Sequence, residues 1–420
     1  MRSPALSRMI VTAVLVICFE GVGAASEVRA GVAKAWFTVP KRVPLAGYSR
    51  RHGRPSSGVH DPVGVRALVA TDADTTAALV SCDVLIIDED LFEAVRRRAI
   101  ARGLPQHLVL VLAATHTHSG PGAYGKKFLE KLSMGHFDPQ VFDLLAQTMT
   151  EVIVQAYARR RPCRLASGAD RIEGLVENRM TPGGLVDNEL LVSAFYQERA
   201  EAPFAVLVNF AAHPTTLGAW NTELSADYPG VVMEEIERRF PDATCLFFAG
   251  SVGDQAPHKA GDRFERAQRI GRPLAQQAIR LVEAMQPALP DAVHAIQEPM
   301  RLPPAQIRLG RLRLPRWLGQ PLVDDDATLS VLTVGPAAFI GVPCDLTASL
   351  GAVLKQAARS HRLSPMVIGF ASDYIGYCVP GSLYQAQQYE SSMAFNGPRA
   401  GELVVSRLEQ MLDQIVVSGK

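Results

Sequence analysis

The chain has 420 residues, which allows one large domain or two of ordinary size. Hydrophobic residues make up 48% and charged residues 20%, so the chain can bury a sizeable core and is not a wholly disordered polymer. Lysine plus arginine number 43 against 42 acidic residues, a balance that argues against a dedicated nucleic-acid-binding protein.

The first 29 residues have the pattern of a secretory signal peptide. Arg2 and Arg8 precede an apolar run at 9–19, and small residues follow at 21–26. A basic start, a short apolar segment and a small-residue end are typical of such signals, and the run is short for a membrane span. We therefore predict a signal peptide over 1–29 and an exported domain, periplasmic or secreted, over 30–420. Glu20 lies close to the apolar segment, which leaves an uncleaved anchor as the alternative.

After this leader, short apolar runs alternate with segments of helical period. Strands are predicted at residues 66–71, 77–82, 108–113, 205–211, 244–249, 329–334, 338–342 and 366–371. Helices are predicted at residues 89–102, 139–159, 228–239, 262–284, 347–360 and 398–416. This interleaving predicts an α/β fold in which helices pack on the outer faces of mixed β-sheets.

Three strand ends carry residues suited to metal chemistry. His116 and His118 follow the strand at 108–113, and residues two apart in an extended chain point to the same side. His213 follows the strand at 205–211, and Asp254 lies in the Gly-rich loop after the strand at 244–249. Zinc sites in enzymes combine imidazole with carboxylate and leave one position open. Hydrogen-bonded histidines at the strand ends, and a turn-forming role for Asp254, are the structural alternatives.

Taken in order, the motifs resemble those of the neutral, non-lysosomal ceramidases, zinc amidases that cleave the N-acyl bond of ceramide. The resemblance is to the catalytic N-terminal domain of that family and spans about residues 43–412. It rests on Ala-Thr-His-Thr-His-Ser-Gly-Pro-Gly at 114–122, Asn-Arg at 178–179, Ala-His-Pro-Thr at 212–215, Gly-Asp-x-x-Pro at 253–257, Val-Pro-Cys-Asp-Leu-Thr at 342–347 and Asp-Tyr-Ile-Gly-Tyr at 373–377. Tyr384, Tyr389-Glu390 and Gly397-Pro398 complete the set.

The resemblance implies a role for each matching residue. It implies that Zn²⁺ is bound by four residues, which are His116, His213, Asp345 and Tyr377. It further implies that His118 and Arg179 orient the substrate and the attacking group, and that Tyr389 helps to hold the developing oxyanion. The implied substrate is a small N-acyl or lipid-like molecule.

The sequence departs from the family pattern at two places. The family's Pro-Gly-Glu is Pro343-Cys344-Asp345 here, so the carboxylate is one methylene shorter, and aspartate is a competent zinc ligand. Where the family has Gly-Asp-Val-Ser-Pro, this chain has Gly-Asp-Gln-Ala-Pro at 253–257, so Ala256 replaces the family's serine. A mechanism that needs that hydroxyl is therefore not available to this chain.

We accordingly expect a zinc-dependent hydrolase of an N-acyl amide bond, with zinc-activated water as the nucleophile and His118 or Asp254 as the general base. Asp83, which follows another strand, is a candidate for supporting the site. Three alternatives stay open. The first is a zinc-binding pseudoenzyme that binds a lipid or amide without turnover. The second is a hydrolase of lactones or esters, and the third is a serine hydrolase with Ser251 as nucleophile.

One further segment, from Arg301 to Leu318, carries five arginines and no acidic residue. Apolar and basic residues nearly alternate within 307–314, which favours an edge strand with a solvated cationic face. The alternative is a peripheral contact with an anionic membrane, aided by Trp317 and Leu318.

Overall fold

A computed structural model describes residues 27–40, 42–309, 312–385 and 388–418. The signal peptide predicted over 1–29 thus lies almost wholly outside the described residues and stays a prediction. Among the described residues, no helix is both long enough and apolar enough to cross a bilayer. The strands are β1 (Arg29–Trp36), β2 (Gly58–Val59), β3 (Gly64–Thr71), β4 (Thr76–Cys82), β5 (Val109–Ala114), β6 (Arg161–Arg171), β7 (Val176–Asn178), β8 (Glu189–Gln197), β9 (Pro203–Phe210), β10 (Glu223–Leu224), β11 (Thr244–Ala249), β12 (Gln255–Pro257), β13 (Val293–Arg301), β14 (Arg308–Leu309), β15 (Leu312–Arg313), β16 (Asp326–Val334), β17 (Ala337–Gly341), β18 (Asp345–Leu346), β19 (Ser364–Ile368) and β20 (Tyr377–Cys378). The helices are α1 (Glu89–Ala101), α2 (Phe128–Met134), α3 (Pro139–Ala158), α4 (Asp227–Arg239), α5 (Glu265–Ala284), α6 (Arg316–Gly319), α7 (Ala348–Ser360), α8 (Gly381–Tyr384), α9 (Tyr389–Ser392) and α10 (Ala400–Ser418).

The two larger sheets are mixed. The first has eight strands in the order β11-β9-β8-β6-β1-β3-β4-β5, and the second has four in the order β13-β16-β17-β19. Parallel pairs occur at β4 with β5, at β9 with β11 and at β17 with β19, whereas the other neighbours in these sheets are antiparallel. The predicted fold class, mixed sheets with helices outside them, is confirmed.

Alternating side chains build the layers. In β4, Leu79 packs between the two larger sheets, whereas Val80 packs beneath α1 and α3. In β11, Phe248 packs between the sheets, whereas Phe247 packs beneath α4 and α5. Helices α7 and α10 cover the other face of the four-stranded sheet. Because successive residues of a strand point to opposite faces, strands apolar on both faces must be buried on both faces.

The helices begin where the sequence supplies capping groups. Asp88 accepts a hydrogen bond from the Leu91 amide at 2.8 Å at the start of α1. Asp138 accepts one from the Gln140 amide at 2.9 Å at the start of α3, whose first residue is Pro139. Both arrangements satisfy amides that have no partner inside the helix.

The eight-stranded sheet bends so that its edge strand β11 also contacts β4, where the Ser81 hydroxyl donates to the Phe247 carbonyl at 2.6 Å. The loop after β19 reaches the end of β5, since the Ala114 amide donates to the Phe370 carbonyl at 3.2 Å. The Gly250 amide, just after β11, donates to the Phe210 carbonyl at the end of β9 at 3.0 Å. The loops after β5, β9, β11 and β19 therefore meet in one place.

The basic segment differs from the single edge strand that its alternation favours. β14 and β15 form a small separate hairpin in which Arg308 pairs with Arg313, and α6 follows. Arg311 lies outside the described residues. The alternation in this segment is interrupted by Gly310, and among the described residues β14 and β15 pair with each other rather than with either larger sheet.

Candidate metal centre

The predicted metal-site residues come from four parts of the chain that the fold brings together. His116 and His118 follow β5, and His213 follows β9. Asp345 and Tyr377 are directly paired in the parallel ladder of β18 and β20, so their side chains lie on the same side of it.

The three imidazoles converge through their Nε2 atoms. The Nε2 atom of His213 lies 3.0 Å from that of His116, and the Nε2 atom of His118 lies 3.2 Å from each of them. Nitrogens bound to one zinc in a tetrahedron, at ~2.05 Å each, lie about 3.3 Å apart. The cluster is therefore close to the spacing that one metal ion requires.

The protonation state of the imidazoles suits ligation. Burial lowers the pKa of His116 to about 3 and holds those of His118 and His213 well below their usual value. Nδ1 of His116 lies 2.6 Å from the Leu85 carbonyl, an acceptor that needs a hydrogen on this nitrogen. Nε2 is then left with its lone pair facing the cluster, as a metal ligand must be.

Asp345 adds a carboxylate to the cluster. Its Oδ2 accepts from the Tyr374 hydroxyl at 2.8 Å, whereas its buried Oδ1 has no hydrogen-bond partner. This Oδ1 lies 3.8 Å from Nε2 of His116 and 3.8 Å from Nδ1 of His213. Burial raises the pKa of Asp345 to about 7, against the lowering effect of Tyr374, Arg179 and Tyr377. A buried carboxylate oxygen without a donor costs free energy, so this set of groups fits a cation.

Tyr377 and Arg179 form a second contact network beside the cluster. Nη2 of Arg179 donates to the Tyr377 hydroxyl at 2.9 Å and to the Gly253 carbonyl at 2.8 Å. Nε of Arg179 pairs with buried Glu390 at 2.9 Å. Glu390 and Tyr374 had no predicted role, although both lie within the motifs that carry the family resemblance.

The remaining predicted residues lie at different positions around this centre. Tyr389 packs its ring edge-on against Tyr377, with 5.8 Å between the centroids, and lines the adjacent cavity. Asp254 accepts from the Ala348 amide at the start of α7 and from the Asn178 side chain, both at 2.8 Å. Its carboxylate contacts are thus with the loop that carries Arg179 and with a helix start.

Two other candidates are buried. Asp83 pairs with Arg66 at 3.1 Å and accepts from the Thr115 hydroxyl at 3.3 Å, next to His116. Ser251 has no exposed surface and its hydroxyl has no partner. Ser251 is not among the described residues that line the cavity, so the structure gives no support to a Ser251 nucleophile.

A cavity of about 360 Å³ opens beside the histidines. It is lined by His116, His118, Asp345, Tyr377 and Tyr389 and by apolar side chains that include Leu129, Leu132, Leu322, Ile375 and Phe395. A larger groove of about 600 Å³ lies elsewhere, around Arg164 and Arg239, and contains none of the predicted site residues. We take the smaller cavity as the candidate functional site, because it combines polar ligating groups with an apolar wall.

The chain is similar to known proteins. Residues 29–262 match the family model for neutral/alkaline non-lysosomal ceramidase, N-terminal. The neutral ceramidase of Mycobacterium tuberculosis is 25% identical over 244 residues, which cover 52% of this chain and 38% of that protein. The neutral ceramidase of Pseudomonas aeruginosa is 28% identical over 223 residues, which cover 48% of this chain and 32% of that protein. The aligned regions thus cover well under half the length of these curated relatives.

The fold is also that of solved structures. The crystal structure of neutral ceramidase from Pseudomonas aeruginosa superposes with a TM-score of 0.81 at 20% identity, covering 94% of this chain and 74% of that chain. A structure described as ceramidase complexed with C2 gives a TM-score of 0.82 at 20% identity, covering 94% of this chain and 75% of that chain. At this level of identity the likeness shows a shared fold.

A substitution at Gly47 tests how tightly the fold confines the ring of His118. A Cβ at Gly47, whose φ is +102°, would lie 2.6 Å from Cγ and Nδ1 of the His118 ring. We expect Gly47→Ala to lower the free energy of unfolding by about 1–3 kcal/mol from backbone strain, plus a further loss from the clash. Gly103→Ala is the matched control, because Gly103 has a φ of +100° and nothing within 4 Å. Urea unfolding of both variants measures the difference, and equal losses would show that His118 is not confined by Gly47.

Proposed function

Because the chain belongs to the neutral/alkaline non-lysosomal ceramidase family, we propose that it is a zinc-dependent hydrolase of an N-acyl amide bond. One observation carries the proposal. The Nε2 atoms of His116, His118 and His213 converge beside a largely apolar cavity, and a carboxylate oxygen of Asp345 without a hydrogen-bond partner lies 3.8 Å from the rings of His116 and His213. Ionisable groups that are desolvated and clustered in a cleft are typical of catalytic sites.

The residues that would hold the zinc are His116, His213, Asp345 and Tyr377. When bound there, zinc supplies Lewis-acid polarisation of the acyl oxygen and lowers the pKa of a bound water. The Leu85 carbonyl and the Tyr374 hydroxyl would orient His116 and Asp345, since partners of this kind fix the tautomer and direction of metal ligands.

The other polar residues position the substrate and move protons. His118, whose Nε2 faces the cluster, would take a proton from the attacking water and pass it to the leaving amine. Arg179, held by Glu390, would hydrogen-bond the substrate, and Tyr389 would support the oxyanion from the cavity wall. For Asp254 we propose a positioning role, because its carboxylate contacts the Asn178 side chain and the start of α7.

A second candidate function is supported by Ala256. This residue stands where the family has serine, and it lies in β12 opposite Glu177 of β7. The chain would then be a pseudoenzyme that binds zinc and a lipid or amide without turnover. Hydrolysis of lactones or esters is the third possibility, since the same polarised acyl oxygen occurs in those substrates.

Removing His213 tests the metal site. We expect His213→Ala to lose stoichiometric zinc and N-acyl amide hydrolysis while the protein stays folded, because the ring is one of the converging donors. His361→Ala is the control, since that histidine pairs with Asp413 at the surface. Elemental analysis, circular dichroism and turnover of an N-acylethanolamine measure the three effects. Full zinc occupancy in His213→Ala contradicts the ligand assignment. In His118→Ala, retained zinc with lost turnover supports the proton-transfer role.

Restoring the family hydroxyl separates enzyme from pseudoenzyme. If the wild type uses water as its nucleophile, we expect Ala256→Ser to leave hydrolysis unchanged or lower it, because the added hydroxyl takes no part. Ala256→Gly controls for disturbance of the loop whose Gln255 carbonyl accepts from the His213 amide at 3.0 Å. Steady-state kinetics on ceramide and on simpler N-acyl amides provide the measurement. An inert wild type together with a ceramide-hydrolysing Ala256→Ser would favour the pseudoenzyme.

We also propose that the exported protein contacts anionic membrane beside the cavity. Exposed apolar side chains lie on two short helices, Phe128 and Leu132 on α2 and Trp317 on α6. Leu132 also lines the cavity, and the exposed Arg316 begins α6. Apolar residues beside cationic ones are typical of interfacial binding.

Vesicle binding tests this membrane contact. We expect the protein to sediment with vesicles containing phosphatidylglycerol, and Trp317→Ala to weaken binding several-fold. The electrostatic contribution to vesicle binding should decrease as the salt concentration rises, because exposed charges are screened within roughly 8–10 Å near physiological ionic strength. Trp220→Ala is the control, since Trp220 is exposed on a different loop, beside Phe264. Equal binding by both variants, or none by the wild type, would rule the contact out.

A further inference from the structure

Among the described arginines of the basic segment, Arg308 stands apart because it lines the cavity beside the histidines. Its guanidinium lies 4.0 Å above the ring of Tyr384, a fully buried residue. One Nη1 hydrogen is donated to the Tyr384 carbonyl at 3.3 Å, and its buried Nε has no partner. The side chain is thus held by stacking and by one long hydrogen bond.

No carboxylate among the described residues pairs with Arg308, and the other charged groups of the cavity are already engaged. Lys127 contacts Asp324 through both carboxylate oxygens, at 2.5 and 2.6 Å. Glu130 accepts from the Lys127 amide at 2.8 Å, and Asp345 faces the histidines. Arg308 is therefore a cation of the cavity wall that forms no ion pair among the described residues.

Desolvating an unpaired guanidinium in such a wall costs free energy, and an anion that binds to the guanidinium offsets this cost. Its planar fork of donors matches a carboxylate in two parallel hydrogen bonds, which a lysine cannot reproduce. Neighbouring apolar residues, Ile307 and Phe395, suit a hydrocarbon chain rather than a hydrated ion. The cavity therefore combines groups for an acyl chain, an amide bond and an anion.

We propose that Arg308 binds the carboxylate of the substrate, so that N-acyl amino acids are preferred over neutral N-acyl amines. This inference rests on the proposed amide hydrolysis for its reaction, although the anion-binding part can be measured without turnover. Arg308 would act as a specificity-determining residue, since it recognises the substrate at a group other than the scissile bond.

The test compares matched substrates. N-dodecanoylglycine and N-dodecanoyl-6-aminohexanoate carry a carboxylate at two distances from the amide, whereas N-dodecanoylethanolamine is neutral. We expect Arg308→Gln to lower kcat/KM for at least one carboxylate substrate by about tenfold to a hundredfold through KM, because charge-assisted hydrogen bonds are lost. Hydrolysis of the ethanolamide should change less than twofold. Arg308→Lys should recover only part of the loss.

Arg313→Gln is the control variant, because Arg313 is paired with Arg308 in the hairpin yet is exposed. It removes the same charge without removing a cavity group, so it should leave the substrate preference unchanged. An equal loss on all three substrates in Arg308→Gln would mean that Arg308 only holds the hairpin in place. No wild-type preference for either carboxylate would equally overturn the inference.

Calorimetry with the carboxylate amides separates this inference from the proposed reaction. Binding that is lost in Arg308→Gln and kept in Arg313→Gln supports the anion site even if the wild type hydrolyses nothing. Hydrolysis of the neutral amide with no binding contribution from Arg308 would support the reaction and refute the anion site.

Discussion

The convergence of three neutral imidazoles through their Nε2 atoms, with a buried carboxylate oxygen beside two of them, is the constraint on which the rest of the site depends. Nε2 atoms 3.0–3.2 Å apart cannot all carry hydrogens that point at one another. Burial resolves this conflict by keeping the rings neutral, and the Leu85 carbonyl fixes the hydrogen of His116 on its other nitrogen. The lone pairs that remain face inward, which is the arrangement that metal ligation needs.

The surrounding backbone is strained where it delivers these groups. His116 has a φ of +62° and stacks on Phe370, whose φ is +55°, with 3.7 Å between the ring centroids. Each non-glycine residue in this region costs of order 1–3 kcal/mol, and such strain persists only where neighbouring structure enforces it. Here the layers of buried side chains on either side of β5 provide that support, since they fix where the strand ends.

A charged side chain links the loops around the histidines. Arg179 contacts the Gly253 carbonyl, the Tyr377 hydroxyl and Glu390, so one side chain links three segments around the cluster. Arg308, by contrast, has no acidic partner among the described residues and lines the cavity beyond this network. The two arginines thus differ, because Arg179 is paired with a carboxylate of the protein and Arg308 is not.

Much of this was predictable from the sequence, because it depends on local pattern. Each predicted strand and helix overlaps an observed one, and the H-x-H and His-Pro-Thr motifs after β5 and β9 identified the histidines that converge. The prediction omitted strands such as β6, which contains Pro162, Gly168 and arginines and is stabilised by its long pairing with β8. Local propensity is weak there, and sheet pairing between distant segments decides the outcome.

Tertiary structure alone decided the contacts made by each charged side chain. Asp254 and Asp345 both follow strands in recognisable motifs, yet one is fully hydrogen-bonded at the start of α7 and the other leaves an oxygen facing the histidines. Arg308 and Arg313 lie in the same basic segment, yet one lines the cavity and the other is exposed. The sequence determines which side chains are present and, through their spacing, which of them share one face of a strand or helix. Their partners depend on how the sheets bend and where distant loops meet, which no local pattern encodes.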